Sequence, residues 1–269
     1  MCADVRRRFA YLSKSGPTRR TLLASSLTVL PMARVHAADP APRVVAVLSL
    51  IGDALSLVVR RMTTGSNVDR NEQQTMAIDD PVFDVAAAEA AERAVKEAVP
   101  AAERLRVSIR DKRLYALQDG VLEPGDASDG MRQALQSLLL KEKATHLLLV
   151  TKRRDDAVFK LAASTTGSGK VSGMGIYIDN SIGLRDTAST VVATGYFACY
   201  AYVKATLVEV STMRSLGASK GTDSVITTSL GEDAIRAWDA LSAKGKADNL
   251  VRVADRAVFD AARQVASLL

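Results

Sequence analysis

Two kinds of apolar pattern follow one another along the chain, and together they predict a fold that mixes strands and helices. Unbroken apolar runs, such as Arg43–Ile51 and Thr145–Thr151, are typical of buried strands. Apolar residues that recur every three or four positions, as in Phe83–Ala98, are typical of amphipathic helices. This helix is expected to begin at Asp80-Pro81, because Asp accepts bonds from unpaired amides and Pro suits the first helical position.

The residues after the first strand predict a β-hairpin. Gly52-Asp53 is a typical turn pair, and the apolar run Leu55–Met62 follows it directly. The polar stretch Thr64–Gln74 then predicts a loop or the end of this hairpin. The same patterns predict the remaining elements: strands at Leu105–Ile109 (continuing at Leu114–Leu117), Ala157–Ala163, Val171–Asp179 and Thr190–Thr212, helices at Met131–Leu139, Ile235–Leu241 and Leu250–Val265, and a loop reaching to about Ser229.

These elements predict an α/β (α+β) fold in which a mainly antiparallel mixed sheet has helices packed on one side. Residues 38–269 are long enough to bury a sizeable core, and we expect them to form a single globular domain. The sequence shows no internal repeat of the kind that indicates a solenoid.

The first 37 residues have the order of a cleavable export signal. Arg6–Arg8 is basic, a short apolar run follows, and Val35–Ala37 ends in small residues suited to cleavage. The apolar run is shorter than the roughly 20 residues that a membrane-spanning helix needs. Arg19-Arg20 before Leu22-Leu23 resembles a twin-arginine signal, and a general secretory signal is the alternative. We therefore expect a periplasmic protein that is soluble after cleavage.

Removal of this segment changes the charge of the chain. The segment holds seven of the 36 basic residues and one of the 30 acidic residues, so 29 of each remain. The basic balance of the full chain therefore belongs to the leader. The densest basic cluster, Lys152–Arg154, is followed directly by Asp155-Asp156, so the sequence indicates no nucleic-acid partner.

Cysteine and histidine become single residues once the leader is removed. Cys199 has no partner for an intramolecular disulfide, and Cys199 with His146 cannot form a zinc site of the usual ligand number. We expect no metal and no cofactor, although a site for calcium or magnesium built from carboxylates alone stays open.

Two short motifs suggest chemistry, but each lacks a required residue. Gly52–Leu55 resembles the Gly-Asp-Ser-Leu block of the lipase and esterase family, but Ala54 stands where the nucleophilic serine belongs. Ser164–Lys170 resembles a phosphate-binding loop, but Ser164 replaces its first glycine and Val171 follows the lysine. We assign no catalytic residue.

A candidate ligand or partner surface is predicted at two places. The first is the hairpin region, where Asp53 and the polar residues Asn67, Asp69 and Arg70 come near one another in the chain. The second is one face of the longest strand, where three tyrosines share the same parity and therefore point the same way: Tyr196, Tyr200 and Tyr202. The alternative for these tyrosines is packing within the sheet.

The stretch Ala144–Leu216 resembles the periplasmic domain of the curli-secretion channel lipoprotein and its relatives, which share the fold of the TolB amino-terminal domain. Three segments carry the resemblance: Ala144–Val150, Gly173–Tyr177, and Tyr202–Val210 with Ser211–Leu216. The chain departs from the pattern at Glu209 and Met213, which replace an Asp and a Gly, and it lacks the lipidation cysteine.

This resemblance implies a role in envelope assembly or secretion. By analogy with the channel, Gly183–Val203 could form a membrane-inserting hairpin, and a soluble sheet is the alternative. The leading hypothesis is a non-enzymatic accessory protein of the cell envelope that binds another protein or itself. The alternatives are a periplasmic hydrolase that uses carboxylates or Cys199, and a module that binds a small ligand.

Overall fold

The computed structural model describes residues 43–61, 71–109, 111–118, 120–122, 126–161, 164–185, 192–228, 238 and 241–269. For residues 126–127, 182–185 and 192–194 it describes the backbone alone. Every described residue belongs to one compact unit, which spans residues 41–269. The predicted export signal at residues 1–37 lies outside the described residues and stays a prediction.

The described part of the chain contains strands and helices in mixed order. The strands are β1 (Val44–Ser49), β2 (Ala54–Val59), β3 (Glu72–Ala77), β4 (Glu103–Val107), β5 (His146–Lys152), β6 (Arg154–Asp156), β7 (Phe159–Lys160), β8 (Thr165–Thr166), β9 (Lys170–Arg185), β10 (Val192–Glu209) and β11 (Arg214–Thr228). The helices are α1 (Val82–Ala98), α2 (Lys112–Ala116), α3 (Asp126–Lys141) and α4 (Ala243–Ala266).

One large mixed sheet is organised around β10. One edge of β10 pairs antiparallel with β9 over its first half and with β5 over its second half, while β11 pairs with it on the other edge. β1 lies parallel between β4 and β5, whereas β2 lies between β9, to which it is parallel, and β3, to which it is antiparallel. The α/β class and the mixed sheet are therefore confirmed.

The predicted hairpin at Gly52-Asp53 is wrong, because β1 and β2 do not pair with each other. β1 pairs with β5 and β2 pairs with β9, and β5 and β9 occupy consecutive stretches of the same edge of β10. The residues between β1 and β2 therefore form a kink that carries the chain from one half of the sheet to the other. The hairpin partner of β2 is β3.

Helices lie against both faces of the sheet rather than on one side. Val45 and Val47 of β1 join the core formed with α1 and α4, whereas Ala46 and Leu48 join the core formed with α2 and α3. Successive side chains of a strand point to opposite faces, so the two helix pairs cover opposite faces. A third core, rich in tyrosine, lies on the α2–α3 side under the β7–β8 hairpin.

Two further sequence predictions differ from the structure. Leu114–Leu117 falls mainly in α2, where Asp111 accepts a bond from the amide of Arg113 and so caps a single helical turn. The residues up to Ser229, predicted as a loop, contain β11. Within β11, Gly221 allows α4 to approach, since a Cβ there would lie 1.9 Å from the backbone oxygen of Ala257.

The helices predicted at Phe83–Ala98, Met131–Leu139 and Leu250–Val265 correspond to α1, α3 and α4. The helix predicted at Ile235–Leu241 lies outside the described residues except for Trp238 and Leu241. Within the described ranges, no helix combines the length and the apolar character that crossing a membrane requires.

Candidate functional site

A cleft lies where β1 passes into β2, beside the carboxyl ends of the parallel strands β4, β1 and β5. It encloses about 440 Å³ and combines apolar walls with several charged groups. Ligand sites in sheets of this kind commonly form beyond the carboxyl ends of strands, where the strand order changes. The lining residues are Gly52, Asp53, Ala54, Ala77, Ile78, Asp79, Asp80, Pro81, Asp84, Lys112 and Tyr115.

Asp84, in the first turn of α1, joins the helix to the kink between β1 and β2. Its Oδ1 accepts bonds from the hydroxyl of Ser49 at 2.7 Å and from the amides of Ile51 at 3.0 Å and Gly52 at 3.1 Å. Its Oδ2 accepts a bond from the hydroxyl of Tyr115 at 2.6 Å. One carboxylate therefore holds the end of β1, the start of α1 and α2 together at the floor of the cleft.

Gly52 is required by this close approach. A Cβ at this position would lie 2.7 Å from Oδ2 of Asp84 and 3.0 Å from its backbone nitrogen. Any larger residue would displace the helix start or break the hydrogen bonds, so the sequence pair Gly52-Asp53 serves a contact with α1 rather than a hairpin turn.

Asp53, the next residue after Gly52, connects the kink to β5. Its carboxylate forms an ion pair with Lys152 at the end of β5, and the Lys152 amide donates to the side chain of Gln118 at 2.8 Å. The pair is mostly shielded, because the side chains of Lys152 and Asp53 are 18% and 35% exposed. The ion pair thus links β5 to the same kink that Asp84 of α1 holds.

The mouth of the cleft carries exposed charges. Asp79 and Lys112 lie 3.9 Å apart and are almost fully solvated, and Asp80 accepts a bond from the amide of Val82. No group of three or more metal-ligating side chains occurs among the residues that the structure describes. The lining residues named above include no serine, cysteine or histidine.

The predicted hairpin surface falls partly on described residues. Asp53 lines the cleft, while Asn67, Asp69 and Arg70 lie outside the described residues, in the connection between β2 and β3. That connection leads into β3, whose six side chains are all exposed. The structure therefore places Asp53 near the end of β3, where Ala77 also lines the cleft.

The three predicted tyrosines are buried, as the packing alternative expects. Tyr196 and Tyr200 are fully enclosed and Tyr202 is 2% exposed, in a core that also contains Tyr177 and Phe159. Burial raises the pKa of Tyr196 to about 12 and raises the pKa of Tyr200 and Tyr202. No tyrosine ring of this set presents a free face to a ligand.

Three tyrosine hydroxyls attach the segment 157–168, which contains β7 and β8, to the sheet. The Tyr202 hydroxyl bonds to the amide and carbonyl of Val158, and the Tyr177 hydroxyl bonds to the amide and carbonyl of Ser168. The Tyr196 hydroxyl lies 3.0 Å from Oγ1 of Thr166. The tyrosine face thus has a cover within the same chain.

Cys199 and His146 take no part in the cleft. Cys199 is buried on β10, and burial raises the pKa of its thiol to about 11, so it lacks the thiolate character of a nucleophile. Burial and the nearby charge of Arg43 lower the pKa of His146, and Nδ1 of His146 lies 2.9 Å from the Thr145 hydroxyl.

Sequence reasoning missed Asp84, Tyr115 and Lys152 as members of the site. Their partners are 31 to 99 positions away in the chain, so no local pattern joins them. One signal was present in the sequence. Asp84 is the acidic residue in the first turn of α1, and a carboxylate at a helix start commonly accepts bonds from unpaired amides.

Free sheet edges are the second notable surface. Among the described residues, β3 pairs only with β2, β4 only with β1, and β11 only with β10. Asn71 and Gln73 donate from their side chains to the carbonyls of Ser168 and Lys170, which fixes β3 against the start of β9. The outer backbone edge of β3 remains unpaired within the described part of the chain.

Comparison with known proteins gives remote structural neighbours only. No family model matches the sequence, and no curated protein matches it. A Xanthomonas campestris protein of family-model DUF330 aligns over 84% of this chain and 81% of its own, with 9% identity and a TM-score of 0.29. PelC from Paraburkholderia phytofirmans, solved as a dodecamer of a single-substitution variant, aligns over 80% and 89%, with 9% identity and a TM-score of 0.24.

These values assign no family and no function to the chain. Neither neighbour is described as a member of the curli-secretion or TolB-like group that the stretch Ala144–Leu216 resembles, so that resemblance stays without support from the comparisons.

Proposed function

We propose that this chain is an exported, non-enzymatic accessory protein of the cell envelope that acts by binding another protein chain. The export part of the proposal rests on the leader pattern at residues 1–37. The binding part rests on β3, an edge strand whose outer backbone edge is unpaired among the described residues and whose six side chains are exposed. A free edge of this kind can accept an added strand, because its outward N–H and C=O groups are unpaired.

The surroundings of β3 favour a partner surface over a purely structural edge. Met76 is a large apolar residue with 37% of its surface exposed on this strand. The strand ends at the cleft that Asp53 lines, and it begins after the polar connection that holds Asn67, Asp69 and Arg70. The proposed partner surface therefore consists of the β3 edge, this connection and the cleft mouth.

The test is native mass spectrometry of the full chain, expressed in a host that exports it and isolated without harsh washing. We expect a defined complex, either with another envelope protein or with a second copy. The double variant Gln74→Lys/Thr75→Lys places lysines on both faces of the edge strand and should reduce complex formation.

Gln133→Lys is the matched control, because Gln133 is exposed on α3, away from the sheet edge. A chain that remains alone under all conditions would contradict the proposal, as would a complex that the β3 variant leaves unchanged.

The 440 Å³ cleft favours a second function, the binding of a small ligand. Its apolar walls and its carboxylates suit a small organic molecule with a basic group. Thermal unfolding in the presence of such compounds tests this, since a ligand that binds only the folded state raises the melting temperature. A hydrolase that uses Cys199 is disfavoured by the burial of that thiol.

A further inference from the structure

We propose that the outer edge of β3 pairs with the same strand of a second copy of this chain, in an antiparallel arrangement around a two-fold axis. This rests on the proposed function and specifies the partner at the β3 edge. The two-fold pairing follows from the charges of the free edges, which differ sharply among the edge strands described.

β4 is protected against pairing with itself. A two-fold axis at Leu105 would place Arg104 opposite Arg106 of the other copy, and an axis at either arginine would place that arginine opposite itself. Like charges directly opposite each other destabilise a strand pair. Self-pairing of β4 about any of its three central residues is therefore disfavoured.

β11 is also a poor self-pairing edge. It carries three charged residues, Arg214, Lys220 and Asp223. It also contains Gly217 and Gly221, which weaken strand pairing because they offer no side chain to pack.

β3 has neither form of protection. Its sequence, Glu72–Ala77, contains no lysine, arginine or proline, and its one charge lies at the first position. Glu72 pairs with Arg61 at 2.6 Å, as Arg106 of β4 pairs with Glu92 of α1. The contrast between the two strands therefore rests on the lack of lysine and arginine in β3. Native edge strands commonly carry lysine, other charged residues or proline, which prevent pairing with another chain. β3 has six residues and, apart from Glu72 at its first position, lacks this protection, which is consistent with an edge that is paired in the functional protein.

The two central two-fold registers of β3 bring compatible side chains together. With the axis at Gln74, the two Gln74 amides face each other and Glu72 lies opposite Met76. With the axis at Thr75, the two threonines face each other and Gln74 lies opposite Met76. Neither register opposes two like charges, and both leave the two Gln74 side chains on the same face, directly or diagonally opposed.

A charge exchange at Gln74 tests the proposal. Gln74→Lys and Gln74→Glu should each weaken self-association by about fivefold at low salt, because like charges then meet at the axis. A mixture of the two variants should associate at least as tightly as the wild-type chain. Sedimentation velocity over a concentration series measures each homodimer, and capture of untagged Gln74→Glu on tagged Gln74→Lys measures the mixed pair.

Gln133→Lys adds the same charge on α3 and should leave self-association unchanged. Equal unfolding midpoints of all variants show that the edge substitutions do not act by unfolding the chain. The proposal is overturned if the wild-type chain is monomeric at every concentration, or if neither Gln74 variant weakens a dimer. In either case, capture of a different envelope protein would leave the proposed function standing. A chain that binds neither itself nor another protein would contradict both the self-pairing and the proposed function.

Discussion

The hydroxyl of Ser49, at the end of β1, donates a 2.7 Å hydrogen bond to the carboxylate of Asp84 in the first turn of α1. The same oxygen of Asp84 accepts the amides of Ile51 and Gly52. The kink between β1 and β2 is therefore held by a helix residue more than 30 positions away, and the shape of the cleft depends on this contact.

Asp84→Asn should lower the free energy of unfolding by about 2 kcal/mol. The carboxylate accepts four hydrogen bonds, and the NH₂ group of asparagine would face one or more of those four donors instead of accepting from them. Urea denaturation measures this loss. Asp79→Asn is the control within the same cleft, since Asp79 is almost fully exposed and should change stability by less than about 0.5 kcal/mol. Equal effects of the two substitutions would refute the role of Asp84.

Gly52→Ala should destabilise the fold by about 1–3 kcal/mol, because the added Cβ meets the Asp84 carboxylate and backbone. Gly130→Ala should change the stability in the opposite direction. Gly130 lies in α3, where a Cβ would have no neighbouring atom within 4 Å, so alanine should stabilise the chain by up to about 1 kcal/mol. Thermal and urea unfolding of both variants check the contrast in sign.

Cys199 should resist modification in the folded protein and react after unfolding. Burial raises the pKa of its thiol to about 11 in the folded state, against an ordinary pKa of 9.0, so its contribution to stability is complete below pH 9. Above pH 9 the unfolded thiol ionises first, so the stability contribution falls as pH rises toward 11, with a slope approaching about 1.4 kcal/mol per pH unit.

Unfolding free energies at pH 8 and pH 10 for the wild-type chain and Cys199→Ala measure this contribution. Between pH 8 and pH 10, the unfolding free energy of the wild-type chain should fall by more than that of Cys199→Ala. Rapid alkylation of the native thiol at pH 8 would argue against its burial.

Tyr202→Phe should loosen the segment 157–168 at one end. The substitution removes the hydroxyl that bonds to the amide and carbonyl of Val158, at a cost of about 1 kcal/mol. Hydrogen exchange at the Val158 amide should accelerate, while exchange at the Ser168 amide, which Tyr177 holds, should stay the same. Uniform acceleration across the segment would indicate general destabilisation instead.

Local patterns predicted those elements whose own residues specify them. The apolar stripe after Asp80-Pro81 became α1, and the runs at Arg43–Ile51 and Thr145–Thr151 became β1 and β5. β11 was not predicted, because Gly217, Gly221 and several polar residues give it low strand propensity and its pairing with β10 overrides that propensity.

The candidate site was only partly predictable for a related reason. Asp53 stood beside a conspicuous turn pair, but the true role of Gly52-Asp53 depends on Asp84 and Lys152, which no local pattern connects to it. The tyrosines on β10 showed their common face in the sequence, whereas the segment that covers that face comes from residues 157–168. Parity predicts where side chains point, and tertiary pairing decides what covers them.

The position of β10 has a consequence for the order of events during synthesis. β10 is the shared neighbour of β5, β9 and β11, so the two halves of the sheet have no common strand until residues up to Glu209 have been made. Because closure of such distant pairings is slow, a growing chain spends most of its synthesis without a complete sheet. Until β10 is complete, the apolar residues of β1, β5 and β9 therefore lack the strand that joins them into one sheet.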